Sequence, residues 1–124
     1  MAQLGIDPQD AEALFAQLEQ EGFVNELRFA EVFALGKFRL KKWGKEKIRF
    51  ELRRHRISAE VAEQALDRID PEQYESCAEQ LASGKASGWK RPLSLEDKGK
   101  VYRFLAQKGF DAGTIHRTLL KLNG

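Results

Sequence analysis

Positions 37–56 carry the residues whose types and spacing most favour a binding function. This segment contains ten basic residues but only two acidic ones, Glu46 and Glu51. Exposed helix faces usually mix charges of both signs at i, i+4 spacing. A run of one sign instead destabilises the free helix, because the like charges repel one another. The segment therefore favours a polyanionic partner. The alternative is a solvated helix face that binds nothing.

Trp43 lies inside this basic segment, between pairs of lysines. A tryptophan beside cations can stack on a nucleobase or anchor a protein interface. An equally good interpretation is a core contact at a helix junction, and the sequence does not separate the two. A weaker copy of the segment surrounds Trp89 and contains Lys90, Arg91, Lys98, Lys100 and Arg103.

The two segments give one predicted set of partner-contacting residues. It consists of Lys41, Lys42, Trp43, Lys45, Lys47, Arg49, Arg53, Arg54, Arg56, Lys98, Lys100 and Arg103. Basic residues at equivalent places in stacked repeats would form a stripe along one side of the molecule.

Side chains suited to catalysis are scattered. His55 and His116 lie in separate basic segments, and neither has an identifiable carboxylate or nucleophile as partner. Cys77 is interpreted as a small buried hydrophobic residue. Zinc-ligand spacing and a glycine-rich phosphate loop are both missing from the sequence. We therefore predict no catalytic residues, no metal and no cofactor.

Composition bounds the class of protein. The chain has 124 residues, of which 42% are hydrophobic and 32% charged, which is too apolar for a disordered chain and typical of a helical one. No apolar run approaches the roughly 18 residues of a membrane span, and the start lacks a signal-peptide pattern. We expect a cytoplasmic, all-α protein. Its single cysteine excludes an internal disulfide.

Charge is sorted into blocks, although the net charge is only +2. Residues 1–36 carry −6, 37–56 carry +8, 57–84 carry −6 and 85–124 carry +6. Such blocks create strong local fields that steer a charged partner. They also favour a monomer that does not stack on itself.

Helix signals account for the first half of the chain. Asp7-Pro8 predicts a helix start, and Gly22 is expected to end that helix. A second helix should begin near Asn25, end between Phe38 and Trp43, and be buried on more than one side.

Capping signals predict the helices that follow. Gly44 should begin a helix over 45–54, Ser58 should cap the next one, and Asp70-Pro71 should start another. No segment has the pattern of a strand.

Internal repetition fixes the architecture. Residues 29–37 align with 77–85 at an offset of 48, and four apolar positions of the second repeat recur at an offset of 53: Ile48, Leu52, Ile57 and Leu66 match Val101, Leu105, Phe110 and Leu119. The unit is three helices in about 50 residues, within the range of stacked helical repeats. We expect elongated tandem three-helix repeats: residues 1–22 as the last helix of an incomplete repeat, then 23–70 and 71–124. The expected core is Leu27, Phe29, Phe33, Ile48, Leu52, Val61 and Leu66.

Three ordered segments resemble the RecX family of bacterial recombination regulators. They are Gly22–Glu31, with its Gly-Phe-Val and Arg-Phe-Ala, then Lys42–Leu52, with its Trp-Gly pair and Ile-x-x-x-Leu, and a helix start at Ile57-Ser58. The resemblance covers essentially the whole chain. Asn25 stands where an acidic residue is common in the family. Family members usually carry further helices ahead of Ile6 that complete a first repeat, and we expect most of that repeat to be missing from this sequence.

The resemblance implies a non-enzymatic regulator of the RecA recombinase. Such a protein binds the RecA filament on single-stranded DNA and restrains filament growth, ATP hydrolysis and strand exchange in recombination and repair. The rival hypothesis is a helical protein that binds single- or double-stranded DNA directly through the basic stripe, with steep salt dependence. A third, a structural adaptor held by apolar surfaces, predicts little salt dependence.

Overall fold

The structure is a computed structural model that describes the backbone of residues 8–123 and the side chains of residues 20–123. It contains six α-helices: α1 Pro8–Gly36, α2 Lys45–Arg54, α3 Ala59–Leu66, α4 Pro71–Lys85, α5 Leu95–Lys108 and α6 Ala112–Asn123. A π-helical turn, Lys37–Lys41, extends α1. Residues 8–123 include no strand, so the all-α prediction is confirmed.

Helix α1 runs without a break through Gly22, so the predicted stop there and new start near Asn25 are wrong. Glycine inside a helix costs only about 1 kcal/mol relative to alanine. A Cβ at Gly22 would meet nothing within 4 Å, so no close approach requires the chain to turn there. The predicted end between Phe38 and Trp43 is correct, and the predicted cap Asp7 lies outside the described residues.

Capping residues define the later helix starts as predicted. Gly44 is the N-cap of α2, and Ser58 Oγ accepts a hydrogen bond from the Val61 amide at 3.2 Å. Asp70 Oδ2 accepts from the Gln73 amide at 3.0 Å at the start of α4. These side chains satisfy amides that have no partner inside the helix.

The helices form two similar three-helix units. In the first unit α1 and α2 pack on α3, and in the second α4 and α5 pack on α6. Equivalent positions are buried alike: Ala30 and Ala34 match Ala78 and Ala82, and Ile48, Leu52, Val101 and Leu105 are all inaccessible. An ion pair at equivalent positions also recurs, as Glu31–Arg68 at 3.8 Å and Glu79–Lys121 at 2.8 Å. Tandem helical repeats are therefore confirmed.

The predicted burial of α1 on more than one side is wrong. Its buried stripe is narrow, with Ala30, Ala34 and Phe38 spaced one turn apart. Phe29 and Val32 point away from this stripe and are 45% and 69% exposed, so Phe29 is not a core residue. The other expected core positions are buried or packed against the core.

Backbone hydrogen bonds join the two units at the start of α2. The amides of Gly44 and Glu46 donate to the carbonyls of Lys108 and Gly109, at 2.7 and 2.9 Å. The Lys45 amide donates to Tyr74 Oη at 2.9 Å. The second unit thus provides acceptors for the first amides of α2, which lack partners within that helix.

Two glycines make this joint possible. Gly109 has φ +102°, a conformation that side chains rarely adopt, and a Cβ there would lie 2.7 Å from the Lys47 nitrogen. A Cβ at Gly44 would overlap the Gly109 carbonyl. Beside them Tyr74 stacks between Phe38 and Phe110, with ring centroids 5.9 and 5.0 Å away. The start of α2 is therefore held against α4 and the α5–α6 turn.

Candidate partner-binding surface

Helix α2 separates the predicted basic residues into groups instead of gathering them in one patch. Lys41 and Lys42 precede its first turn, whereas Arg53 and Arg54 lie in its last turn and Arg56 follows it. A helix of ten residues is about 15 Å long, so the two groups lie at opposite ends. We call Arg53, Arg54 and Arg56 the arginine cluster.

The segment that precedes α2 lies next to the second unit. Lys108 Nζ donates to the Lys41 carbonyl at 3.0 Å. Lys42 and Arg39 line an open cleft of about 540 Å³ together with Asp70 and Glu72 from α4. Carboxylates in this cleft offset the charge of its cations, so this end of α2 offers a mixed surface.

Trp43 is partly buried at the junction of α1 and α2 and packs against the core. The ammonium groups of Lys37 and Lys47 lie 4.9 and 4.7 Å from its ring centroid. Lys45 makes a similar contact with Tyr74, at 5.0 Å. Because the chain's own lysines occupy the Trp43 ring, the geometry favours the core contact over a free stacking site.

Arg49 is bound within the chain. Its Nε and Nη2 donate to the two carboxylate oxygens of Glu63 on α3, at 2.5 and 3.1 Å, and Nη1 contacts Glu46. The hydrogen bond with Glu63 raises the pKa of Arg49, and the same bond lowers the pKa of Glu63. Arg49 therefore connects α2 to α3 and has little capacity left for a partner.

The side chains of the arginine cluster, like those of Lys41 and Lys42, are exposed. Arg54 Nη1 lies 3.2 Å from Glu51 Oε2, yet its side chain is 66% exposed. Arg53 and Arg56 are exposed, and neither forms an ion pair with any side chain of residues 20–123. Such exposed groups exchange water for a partner's anion at small cost.

The second unit reproduces the lysine–tryptophan contact but not the cluster. Lys100 Nζ lies 5.7 Å from the Trp89 ring centroid and within 3.9 Å of carboxylates of Glu96 and Asp97. Arg103 is exposed in an open cleft of about 240 Å³ that Lys85 and Lys100 also line. Lys98 is half-buried in the first turn of α5. Of the three second-unit residues in the predicted set, Arg103 alone is both exposed and without an ion pair among the described side chains.

Arg91, which the basic segment around Trp89 includes, has a structural role. Its guanidinium donates to the carbonyls of Trp89 at 2.9 Å, Leu122 at 3.1 Å and Ala86 at 3.4 Å. These bonds tie the α4–α5 loop to the end of α6. Arg91 is thus committed to the fold.

Comparison with known protein families shows which proteins the chain is related to. Residues 25–66 match the second three-helix domain of RecX, and residues 72–119 match the third. The chain belongs to the RecX family. The two matches coincide with the two three-helix units of the structure, and they confirm the resemblance carried by Gly22–Glu31 and Lys42–Leu52.

Individual RecX relatives align along most of the chain. "Regulatory protein RecX" of Chromohalobacter salexigens is 34% identical over 119 residues, which cover 96% of this chain and 76% of the relative. The protein of the same name from Prosthecochloris aestuarii is 30% identical over 122 residues, covering 95% and 76%. That of Amycolatopsis mediterranei is 27% identical over 115 residues, covering 93% and 66%.

The chain therefore spans about two thirds to three quarters of the length of these RecX proteins. No solved structure matches it.

Two of the three side chains considered for catalysis, His55 and Cys77, make packing contacts or are buried in this RecX chain. His55 lies edge-on to Phe29 and Phe33, with ring centroids 5.8 and 5.6 Å away. Cys77 is buried as predicted, and burial raises the pKa of its thiol. His116 is exposed on α6. Among the described residues, no three His, Cys, Asp or Glu side chains could hold a metal ion together, and no helix could cross a membrane.

The sequence analysis did not identify the residues that hold this RecX surface in position. Tyr74 and Gly109 hold the start of α2, and Glu63 binds Arg49 from another helix. All three lie outside the basic segment and contact residues at least 14 positions away, so no local pattern reveals them. Phe50 was also passed over, although its position on the helical wheel of α2, opposite Ile48 and Leu52, can be worked out from sequence alone.

Proposed function

We propose that this protein is a regulator of the RecA recombinase. It binds the RecA filament on single-stranded DNA and inhibits ATP hydrolysis, filament extension and strand exchange, acting in the cytoplasm as a monomer without catalysis of its own. The observation that carries this proposal is membership of the RecX family through two consecutive three-helix domains. Relatives that align with nearly the whole chain are named regulatory proteins.

The arginine cluster supports this role as a contact surface. Arg53 and Arg54 lie in the last turn of α2 and Arg56 follows it. The start of this helix is hydrogen-bonded to the second unit, and its middle is linked to α3 through Arg49. A cation on a pre-ordered scaffold loses less conformational entropy on binding than one on a free helix. Guanidinium groups pair with the carboxylates of a protein surface through two parallel hydrogen bonds.

Direct binding of nucleic acid is the second candidate. The observation in its favour is that exposed arginines without ion pairs, such as Arg53 and Arg103, occur in both units. Phosphates would bind these groups and release counterions, so affinity would fall steeply with salt. The occupied ring of Trp43 argues against base stacking as part of that mode.

The test titrates the protein into a reaction in which RecA hydrolyses ATP on single-stranded DNA. Binding to the same bare DNA is measured at the same salt concentration. Inhibition at concentrations that leave the DNA uncoated supports regulation through RecA. Inhibition that begins only when the DNA is saturated supports competition for nucleic acid instead.

A charge-reversed variant tests the arginine cluster. Arg53→Glu with Arg54→Glu should raise the concentration for half-inhibition at least about tenfold, because both cations become repulsive. The matched control, Arg28→Glu with Lys90→Glu, makes the same change in net charge at exposed positions outside α2 and should stay within about twofold. Equal inhibition by both variants would remove the arginine cluster from the interface.

A further inference from the structure

Phe50 occupies an unusual position on α2. The helix buries Ile48 and Leu52, and at 100° per residue Phe50 points directly away from the midpoint of that pair. Its side chain is 59% exposed. A large aromatic side chain therefore stands at the centre of the solvent face of a helix that is otherwise strongly charged.

The residues one turn away from Phe50 are charged. Arg53 and Arg54 follow it at i+3 and i+4, and Glu46 and Lys47 precede it at i−4 and i−3. Arg53 is exposed and makes no ion pair among the described side chains, whereas Arg54 retains most of its exposure beside Glu51. An apolar centre with charges of both signs around it is the common arrangement of a protein-binding hot spot.

Folding of the repeat does not account for Phe50. The equivalent position in the second unit, at the offset of 53, is Arg103, so the three-helix unit forms with a charged residue there. Within the described chain the Phe50 ring takes part in no aromatic pair and no cation–π contact, unlike Phe29, Phe33 and Phe104. Its exposure leaves apolar surface in water that a partner could cover.

We propose that Phe50 is the anchor residue of this face, inserting into an apolar pocket on a protein surface whose rim carries carboxylates for Arg53 and Arg54. The inference rests on the proposed function, under which that surface belongs to RecA. Glu46 and Glu51 pair with Arg49 and Arg54, so they lower the net positive charge of this face and weaken its attraction for a phosphate backbone. A protein surface can offset these carboxylates with its own cations, which nucleic acid cannot do.

The experiment measures binding of the labelled full chain to RecA filaments and, separately, to bare single-stranded DNA. Phe50→Ala should weaken filament binding at least about tenfold, as truncation of an aromatic anchor does. Phe50→Leu keeps an apolar group and should lose less than about threefold. Leu120→Ala is the control, because Leu120 is 63% exposed on α6; we expect it to bind within about twofold of the unmodified chain.

Each result bears on the proposal. Filament binding that Phe50→Ala leaves unchanged overturns the anchor while the proposed function stands. An equal loss of bare DNA binding would mean that the ring stacks on bases, which also overturns it. If the unmodified chain does not bind RecA at all, the proposed function and this inference both fail. Phe50→Gln, which retains helix propensity, should bind as weakly as Phe50→Ala if the apolar ring is what matters.

Discussion

Replacement of Tyr74 by phenylalanine should change how the stability of the protein depends on pH. Tyr74 is only 4% exposed, and its hydroxyl accepts the Lys45 amide at the joint between the two units. Phenylalanine keeps the ring between Phe38 and Phe110 but leaves that amide without its acceptor. At pH 8 the variant should therefore unfold with a free energy about 1 to 2 kcal/mol lower.

The difference in unfolding free energy between the unmodified protein and Tyr74→Phe should become smaller at alkaline pH. Burial raises the pKa of Tyr74 from 10.0 to about 12, because the phenolate would be poorly solvated there. A raised pKa in the folded state gives stability that is present below the unfolded pKa and is lost as pH rises through the folded one. A rise of the Tyr74 pKa from 10.0 to about 12 corresponds to about 2.7 kcal/mol of stability that is lost at high pH, and about half of this loss should have occurred near pH 11.

Urea unfolding followed by far-UV circular dichroism, at several values between pH 8 and pH 11, measures this effect. Other titrating groups are common to both proteins, so they cancel in the difference. We expect the unmodified protein and Tyr74→Phe to have similar stability near pH 11. A difference that stays constant over the whole range would refute the buried, hydrogen-bonded phenol at the joint.

Two further substitutions, each with a control, test the joint and the α4–α5 loop. Gly109→Ala should lower the free energy of unfolding by about 2 to 4 kcal/mol, because it combines φ +102° with a Cβ that clashes with Lys47. Gly84→Ala, whose Cβ meets nothing within 4 Å, should instead stabilise by up to about 1 kcal/mol in the same urea unfolding. Arg91→Ala loses its hydrogen bonds to three carbonyls and should cost about 1 to 2 kcal/mol. Its neighbour Lys90→Ala should change stability by less than about 0.5 kcal/mol, and equal effects at the two positions would contradict the structural role of Arg91.

Local signals predicted the helices well because they act over three or four residues. Ser58 and Asp70 cap helices as expected, since a side chain oxygen beside an unpaired amide has few alternatives. The prediction that the first helix ends at Gly22 was wrong because a glycine is compatible with a helix interior and ends a helix only where packing requires a turn. The repeat alignment correctly paired Ala30 and Ala34 with Ala78 and Ala82, which are buried in both units where α1 and α4 pack against α3 and α6.

The same alignment failed at Phe29 for a tertiary reason. Its counterpart Cys77 lines a cleft with Phe38 and Lys42 of the first unit, so it gains cover from a neighbouring repeat. The aromatic contacts of Phe29 within the described chain are with Phe33 and His55, which belong to its own unit, and Phe29 stays 45% exposed. Sequence similarity between repeats reports equivalent positions, but burial depends on what lies next to each of them.

The sequence showed which charged residues the candidate surface contains, but not which of them are paired within the folded chain. The run of charge at 37–56 is visible in the sequence, whereas the pairing of Arg49 with Glu63 and of Lys37 with Trp43 requires the folded chain. Long-range partners therefore decide which cations remain free. Arg53 and Arg56 are among the cations that stay exposed without an ion pair in the described part of the chain, as are Lys41 and Lys42.

A joint built mostly from main-chain atoms has an evolutionary consequence. Gly44, Glu46, Lys108 and Gly109 contribute their amides and carbonyls, so a change of side chain at Glu46 or Lys108 leaves these hydrogen bonds in place. Mutations can accumulate over the helix surfaces without altering how one unit is set against the next. The angle between the units is then inherited through the two glycines and Tyr74, while the charged surfaces remain free to diverge and follow a changing partner.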